Sequence, residues 1–123
     1  MKSKPRILVV DDDENVRKAI CRWFETNGFS VDFAIDGESA VEKCRQSVYD
    51  AVTMDYAMPK MDGREAAMAI RQRQPSIPIV ILTGYSDTAV EGITSLEASL
   101  MYKPLSMSKL EEEIVRLINA SPF

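Results

Sequence analysis

Short apolar runs alternate along this chain with longer segments in which apolar residues recur every three or four positions. The runs at residues 7–10, 51–54 and 79–82 are continuous, which is typical of parallel strands covered on both faces. Residues 29–34 alternate apolar and polar side chains, as an edge strand does. Residues 100–102 are a short final candidate. The pattern therefore predicts five strands.

Segments with helical periodicity fill the gaps between these strands. The period is clear at residues 16–23 and in the last helix, where Ser-Lys-Leu-Glu at 108–111 predicts a capping box. Two more helices are predicted around residues 40–44 and 66–70, and a weaker one over about 87–95. The chain is therefore predicted to contain five βα units with short connections.

Five βα units predict one α/β domain with a doubly wound parallel sheet. Right-handed crossovers place helices on both faces of the sheet, and five units are too few to close a barrel. The 123 residues suit a single domain over 1–123, because two cores in a chain of this length would each be near the lower size limit. Ligand sites in such sheets lie at the carboxyl ends of the strands, near the point where the strand order reverses.

The composition excludes several classes of function. The formal net charge is −4 and no basic stripe is present, so direct nucleic acid binding by this segment is not expected. The chain has no histidine, which excludes Ser-His-Asp and Cys-His catalysis within one chain. No apolar run is long enough to span a membrane, and no signal-peptide core follows the basic first residues. We therefore expect no membrane association and a cytoplasmic location.

Charged or hydroxyl side chains directly follow four of the predicted strands. The first strand leads into Asp11-Asp12-Asp13-Glu14, the third ends at Asp55, the fourth at Thr83-Gly84 and the fifth at Lys103-Pro104. An acidic run alone is also what the positive end of a helix dipole favours. That interpretation leaves the lone aspartate and the lysine at two other strand ends unexplained.

The carboxylates that follow the first and third strands predict a cation site. If these strands are neighbours, their ends lie about 5 Å apart. Two carboxylates at that distance repel by roughly 3 kcal/mol at an effective dielectric constant of 20. Oxygen ligands at an open site suit Mg²⁺, which keeps several waters and often shares its shell with phosphate. With a hydroxyl and a lysine nearby, the arrangement favours phosphoryl transfer to an aspartate.

Other phosphate chemistries fit the sequence less well. The chain contains neither the G-x-x-x-x-G-K-[ST] sequence of a P-loop nor the G-x-G-x-x-G of a dinucleotide fold. Asp55 is followed by Tyr56 and Ala57, so the second acid that aspartate-based phosphatases use as a general acid is missing. A phosphatase or phosphotransferase with Asp55 as its nucleophile is the alternative to a phosphoacceptor that acts as a switch.

These motifs together resemble the receiver domain of two-component response regulators. The resemblance extends from about residue 5 to residue 120 and rests on four segments in the family's order: residues 7–14, 49–63, 79–84 and Lys103-Pro104. It implies a flavodoxin-like (βα)5 fold with the strand order 2-1-3-4-5. It also implies a phosphorylation-dependent signalling switch, which catalyses only its own phosphorylation and dephosphorylation.

The resemblance assigns a role to each residue at the strand ends. Asp55 would accept a phosphoryl group from a sensor histidine kinase, a phosphotransfer protein or a small phosphodonor. Thr83 and Lys103 would each contact a phosphoryl oxygen. The carboxylates of Asp12 and Asp55 and the backbone carbonyl of Ala57 would bind Mg²⁺ directly. Asp11 would act through a metal-bound water.

The resemblance leaves the output of the switch open. In the family, the fourth helix, the fifth strand and the fifth helix form the output surface, and this chain departs from the family there. Leu100 stands where the family has an aromatic residue, and Tyr102 is a candidate replacement. Tyr85 is expected to shield the acyl phosphate from water. The output domain or partner stays open, as does a homodimer that forms on phosphorylation. The end of the chain suits a stand-alone regulator or a domain of a longer protein.

Overall fold

The computed structural model describes residues 4–84 and 98–120. We number the strands and helices within these residues in chain order. The strands are β1 (Arg6–Val10), β2 (Ser30–Ala34), β3 (Ala51–Asp55), β4 (Ile79–Thr83) and β5 (Ser99–Tyr102). The helices are α1 (Glu14–Thr26), α2 (Gly37–Gln46), α3 (Gly63–Arg73) and α4 (Met107–Ala120).

The five strands predicted from the apolar runs are all present. The helix predicted over about 87–95 lies outside the described residues, as does Tyr85. Helix α4 therefore corresponds to the fifth helix predicted from the sequence. Among the described helices, none is long and apolar enough to cross a membrane.

The strands form one parallel sheet in the order β2-β1-β3-β4-β5. This order confirms the predicted fold class and places β2 at an edge. From β1 the chain moves outward to β2 and then returns across β1 to β3, so the direction of winding reverses between β1 and β3. The carboxyl ends of these two strands flank the reversal, where open α/β sheets bind their ligands.

An apolar layer covers each face of the sheet. Because side chains alternate along a strand, Leu8 and Val10 pack toward α2 and α3, while Ile7 and Val9 pack toward α1 and α4. All four side chains are at most 1% exposed. Burial on both faces explains why the inner strands have continuous apolar sequences.

The first three helices begin at aspartates, and the fourth begins differently from its prediction. Asp13, Asp36 and Asp62 each accept a hydrogen bond from a backbone N–H in the first turn of α1, α2 and α3. The capping box predicted at Ser108 is wrong. Helix α4 begins at Met107, and its capping group is Ser106, whose Oγ accepts from the N–H of Lys109 at 3.3 Å. Both serines can cap, and capping at Ser106 adds a helical bond from the Leu110 N–H to the Ser106 carbonyl.

Candidate functional site

Three carboxylates meet at the carboxyl ends of β1 and β3. One carboxylate oxygen from each of Asp11, Asp12 and Asp55 lies within 4.8 Å of the others. Asp11 and Asp12 directly follow β1, and Asp55 is the last residue of β3. Since β1 and β3 are adjacent parallel strands, the sheet itself brings the three predicted carboxylates together. We call these three residues the acidic cluster.

Asp11 is held in place by backbone hydrogen bonds. Its N–H donates to the carbonyl of Ala34 at 3.2 Å, and its Oδ1 accepts from the N–H of Asp13 at 2.9 Å. Its second carboxylate oxygen, Oδ2, is buried and has no hydrogen-bond partner within the described residues. A buried acceptor without a partner is costly. This oxygen therefore marks a place where a cation or its bound water would be stabilised.

Burial makes two members of the acidic cluster, Asp11 and Asp55, harder to ionise. Desolvation raises the pKa of Asp11 from 3.8 to about 6; the hydrogen bond from Asp13 opposes this shift, and the charge of Asp55 adds to it. Desolvation also raises the pKa of Asp55, although Lys103 opposes the change. A bound cation would favour the ionised carboxylates.

Lys103 approaches the acidic cluster from the end of β5. Its Nζ lies 3.0 Å from Asp55 Oδ1. Its backbone N–H donates to the Thr83 carbonyl at 2.9 Å, and the Lys103–Pro104 peptide is cis. Burial lowers the pKa of Lys103, but the hydrogen bond and charge of Asp55 and the charge of Asp11 outweigh it, so the pKa is raised. The ammonium group therefore stays charged beside Asp55.

The two remaining predicted residues lie at the same edge of the sheet. Thr83 ends β4 and is 1% exposed. Ala57 is exposed and lies two residues after Asp55, in the connection to α3. The fold thus places six predicted site residues at the carboxyl edge of the sheet: Asp11, Asp12, Asp55, Ala57, Thr83 and Lys103.

The start of α3 packs directly on the backbone of Asp55. The N–H of Gly63 donates to the Tyr56 carbonyl at 2.8 Å. A Cβ on Gly63 would lie 2.5 Å from the Asp55 carbonyl oxygen and 2.8 Å from Tyr56 Cα. Only glycine allows this approach of two backbones. Gly63 therefore helps to hold the strand end that carries Asp55.

One residue at the site was not expected from the sequence. Arg17 lies in the first turns of α1 and donates from Nη1 to the Asp11 carbonyl at 3.1 Å. Side chains lean toward the N-terminus of their helix. An arginine about one turn after an acidic strand end is the sequence feature that could have identified this contact.

The chain is similar to proteins of known family. Residues 7–115 match the family model described as the response regulator receiver domain. The chain is 42% identical over 110 residues to the transcriptional regulatory protein ZraR of Klebsiella oxytoca, with 85% of this chain and 24% of that protein covered. It is 37% identical over 108 residues to the response regulator MprA of Mycolicibacterium vanbaalenii, with 85% and 46% covered. The chain therefore spans about a quarter to a half of the length of these relatives.

Solved structures share the fold over nearly the whole chain. The chemotaxis protein CheY4 of Vibrio cholerae superposes with a TM-score of 0.87 at 26% identity, covering 94% of this chain and 99% of that one. The receiver domain of the Francisella response regulator 1452 superposes with a TM-score of 0.86 at 30% identity, covering 94% and 98%.

Proposed function

Because the chain belongs to the response regulator receiver domain family of two-component systems, we propose that it is a phosphorylation-dependent switch whose phosphoacceptor is Asp55. The observation that carries this proposal is the position of the Asp55 carboxylate. It lies at the reversal point of the sheet, 3.0 Å from the Lys103 ammonium and beside two further carboxylates. Residues 1–123 would form one receiver domain.

Asp55 would act as a nucleophile toward phosphorus. One of its carboxylate oxygens forms a bond to the phosphorus, and the bond between phosphorus and the leaving atom of the donor breaks. The product is an aspartyl acyl phosphate. Lys103 balances the negative charge that develops on the phosphoryl oxygens, and Thr83 donates a hydrogen bond to one of them.

The acidic cluster suits Mg²⁺, as the buried Oδ2 of Asp11 and the crowded carboxylates indicate. Asp12, Asp55 and the Ala57 carbonyl would hold the ion directly, and Asp11 through water. When bound, Mg²⁺ would supply positive charge that neutralises the carboxylates and orients the phosphoryl oxygens.

A sensor histidine kinase or phosphotransfer protein would supply the phosphoryl group. An attached output domain or a separate protein would recognise the phosphorylated state through a surface that includes β5 and α4. Tyr102 is 48% exposed at the end of β5, while Leu100 packs against the core. Tyr102 is therefore more accessible than Leu100 to a partner that binds this surface.

Catalysis would be limited to the protein's own phosphorylation and dephosphorylation. An aspartate-based phosphatase or phosphotransferase needs a general acid two residues after its nucleophile, and Ala57 has no proton to donate. Repeated turnover of varied phosphomonoesters, measured as released phosphate, would favour the enzyme instead.

Intact-mass measurement after incubation with acetyl phosphate and MgCl₂ tests the phosphoacceptor. We expect the wild type to gain the mass of one phosphoryl group and Asp55→Asn to gain none. Asp50→Asn is the matched control, because Asp50 is exposed just before β3 and accepts from the Arg6 N–H. A phosphoryl adduct on Asp55→Asn would place the acceptor elsewhere.

A further inference from the structure

The parallel pairing of β1 with β2 stops at Asp11, which leaves one carbonyl without its regular donor. Val10 lies opposite Ala34 in the register, and the Asp11 N–H still donates to the Ala34 carbonyl. If the ladder continued, the Asp11 carbonyl would accept from the N–H of Asp36. That N–H donates instead to Ser39 Oγ at 3.3 Å, because α2 begins there.

Arg17 supplies the missing donor. Its Nη1 lies 3.1 Å from the Asp11 carbonyl oxygen, and Asp11 is 1% exposed. A buried carbonyl that loses its partner is costly, so this bond should persist. The carbonyl of Asp11 and the N–H of Asp12 belong to one planar peptide. A donor that fixes this peptide also restricts the direction in which the Asp12 carboxylate projects.

An exposed aromatic ring of the edge strand holds the guanidinium group of Arg17. Arg17 Cζ lies 5.1 Å from the centroid of the Phe33 ring, within the range of a cation–π interaction. Phe33 is 48% exposed. Lys43 Nζ lies 5.3 Å from the same ring, and Asp32 holds it at 3.0 Å. The ring thus contributes more to holding these cations than to filling the core.

We propose that Arg17 is a positioning residue for the acidic cluster, and that Phe33 acts through Arg17 to set the affinity of this cluster for a divalent cation. The inference rests on the proposed function in taking the cluster as the cation site. Coulomb repulsion alone predicts the opposite effect, because a guanidinium group near a cation site disfavours metal binding. The sign of the change on removing Arg17 therefore separates positioning from simple charge.

Calorimetric titration of the full chain with MgCl₂ tests the role of Arg17. In Arg17→Gln, we expect the dissociation constant for Mg²⁺ to rise about tenfold, as for other residues that orient metal ligands. The matched control is Arg22→Gln, which removes the same charge from an exposed position of α1. The control should bind Mg²⁺ as the wild type does. Binding by Arg17→Gln that equals or exceeds that of the wild type would overturn the proposal.

The same titration tests whether Phe33 acts through Arg17. Phe33→Leu keeps an apolar side chain without a π face and should weaken Mg²⁺ binding, whereas Phe33→Tyr should keep the wild-type affinity. The double variant Arg17→Gln/Phe33→Leu should bind Mg²⁺ no more weakly than Arg17→Gln alone, since Phe33 is proposed to act only through Arg17. Additive losses of Mg²⁺ affinity would show that Phe33 acts independently of Arg17 and would overturn the proposed role of Phe33.

A measurement without metal separates this inference from the proposed function. In metal-free protein, we expect Arg17→Gln to shift the amide NMR resonance of Asp12, because Arg17 contacts the same peptide, and Arg22→Gln to leave it in place. If the wild type fails to bind Mg²⁺, the proposed metal site and the effect on affinity are both wrong. The Asp12 resonance then decides whether Arg17 positions the peptide between Asp11 and Asp12. An unshifted resonance would overturn this positioning role as well.

Discussion

Individual side chains at the site differ in how far the fold depends on them. Asp11 and Asp55 are buried, with exposures of 1% and 4%, while Asp12 is exposed. Lys103 is partly exposed and contacts Asp55 through its terminal atom. A buried side chain also takes part in packing and hydrogen bonds, so its substitution affects stability, whereas an exposed side chain can be changed with little effect on the core. Substitutions at Asp12 and Lys103 can therefore test the chemistry of the site with less effect on stability than substitutions at Asp11 or Asp55.

We expect Lys103→Ala to slow phosphorylation by acetyl phosphate without unfolding the protein. The substitution removes the positive charge beside Asp55, where the proposed phosphoryl oxygens would lie, while the truncated side chain leaves a partly solvated space. Intact-mass time courses measure the rate, and far-ultraviolet circular dichroism measures the fold. Lys109→Ala removes an exposed lysine from α4 as a control. An unfolded Lys103→Ala protein would show that the residue is structural instead.

Thr53→Val is expected to stabilise the protein by about 1 kcal/mol. Thr53 lies in the middle of β3, opposite Val9 and Val80, and is 0% exposed. Its Oγ1 has no hydrogen-bond partner within the described residues. Valine has nearly the same shape and removes the buried hydroxyl.

Urea unfolding at constant m-value measures this change in stability. Thr26→Val at the exposed end of α1 is the control, because its hydroxyl is open to solvent. A loss of stability in Thr53→Val would indicate that the hydroxyl has a partner in solution.

At the scale of elements, the Asp32 carboxylate links the edge strand β2 to α2 and to Tyr49, which follows α2. Asp32 of β2 accepts from the Tyr49 hydroxyl at 2.7 Å and from Lys43 Nζ of α2 at 3.0 Å. Asp32 Oδ1 also accepts from the N–H of Phe33 at 3.1 Å. This last bond satisfies a backbone N–H of the edge strand, which could otherwise pair with a strand of another chain.

The contribution of Asp32 to stability should depend on pH. Burial opposes ionisation, but the hydrogen bonds from Tyr49 and Lys43 outweigh it and lower the pKa of Asp32. Because the folded pKa lies below the unfolded value, the stabilisation is present above the unfolded pKa of about 3.9 and is lost as the pH falls through the folded value.

Urea unfolding at pH 7 and pH 3 compares the wild type with Asp32→Asn. We expect the wild type to be more stable at pH 7, and its advantage to shrink at pH 3. Asp50→Asn, which removes an exposed carboxylate outside β2, controls for net charge. An advantage that is the same at both pH values would contradict the ionic interaction.

At the scale of the whole molecule, the geometry of the site depends on the packing of the sheet. The two apolar layers hold β1, β3 and β4 in register, and that register places the carboxylates together at one edge. Helices α1 and α4 share one face of the sheet, where Trp23 Nε1 donates to Glu111 Oε1 at 2.8 Å. A ligand that binds the carboxyl edge of the folded sheet therefore stabilises the whole chain against unfolding.

Mg²⁺ should raise the unfolding temperature of the wild type. Binding to the folded state alone adds about 2.7 kcal/mol at a concentration 100 times the dissociation constant. The melting temperature is measured with MgCl₂, with NaCl at equal ionic strength to account for screening, and after chelation with EDTA. Asp12→Ala should lose the specific shift, because it would lack one of the proposed direct ligands. An equal shift in this variant would show that Mg²⁺ acts elsewhere.

Local patterns in the sequence determined the strands, most helices and the residue types at the strand ends. Continuous apolar runs mark β1, β3 and β4 because both faces of these strands are buried. Residues that follow parallel strands share one edge of a sheet, so Asp55 and Lys103 could be assigned to one site from their positions alone. The pairing order of the strands came from the resemblance to a family, and the structure confirms it.

Contacts between distant residues were decided only by the tertiary structure. Helix α4 is capped at Ser106 and not at the predicted Ser108, and its buried residues Leu110 and Ile114 pack against the sheet. Arg17 meets Phe33 because α1 lies beside β2, and nothing local to either residue encodes that approach. Periodicity reports which face of an element is buried, whereas the partner of a side chain depends on how separate elements pack against each other.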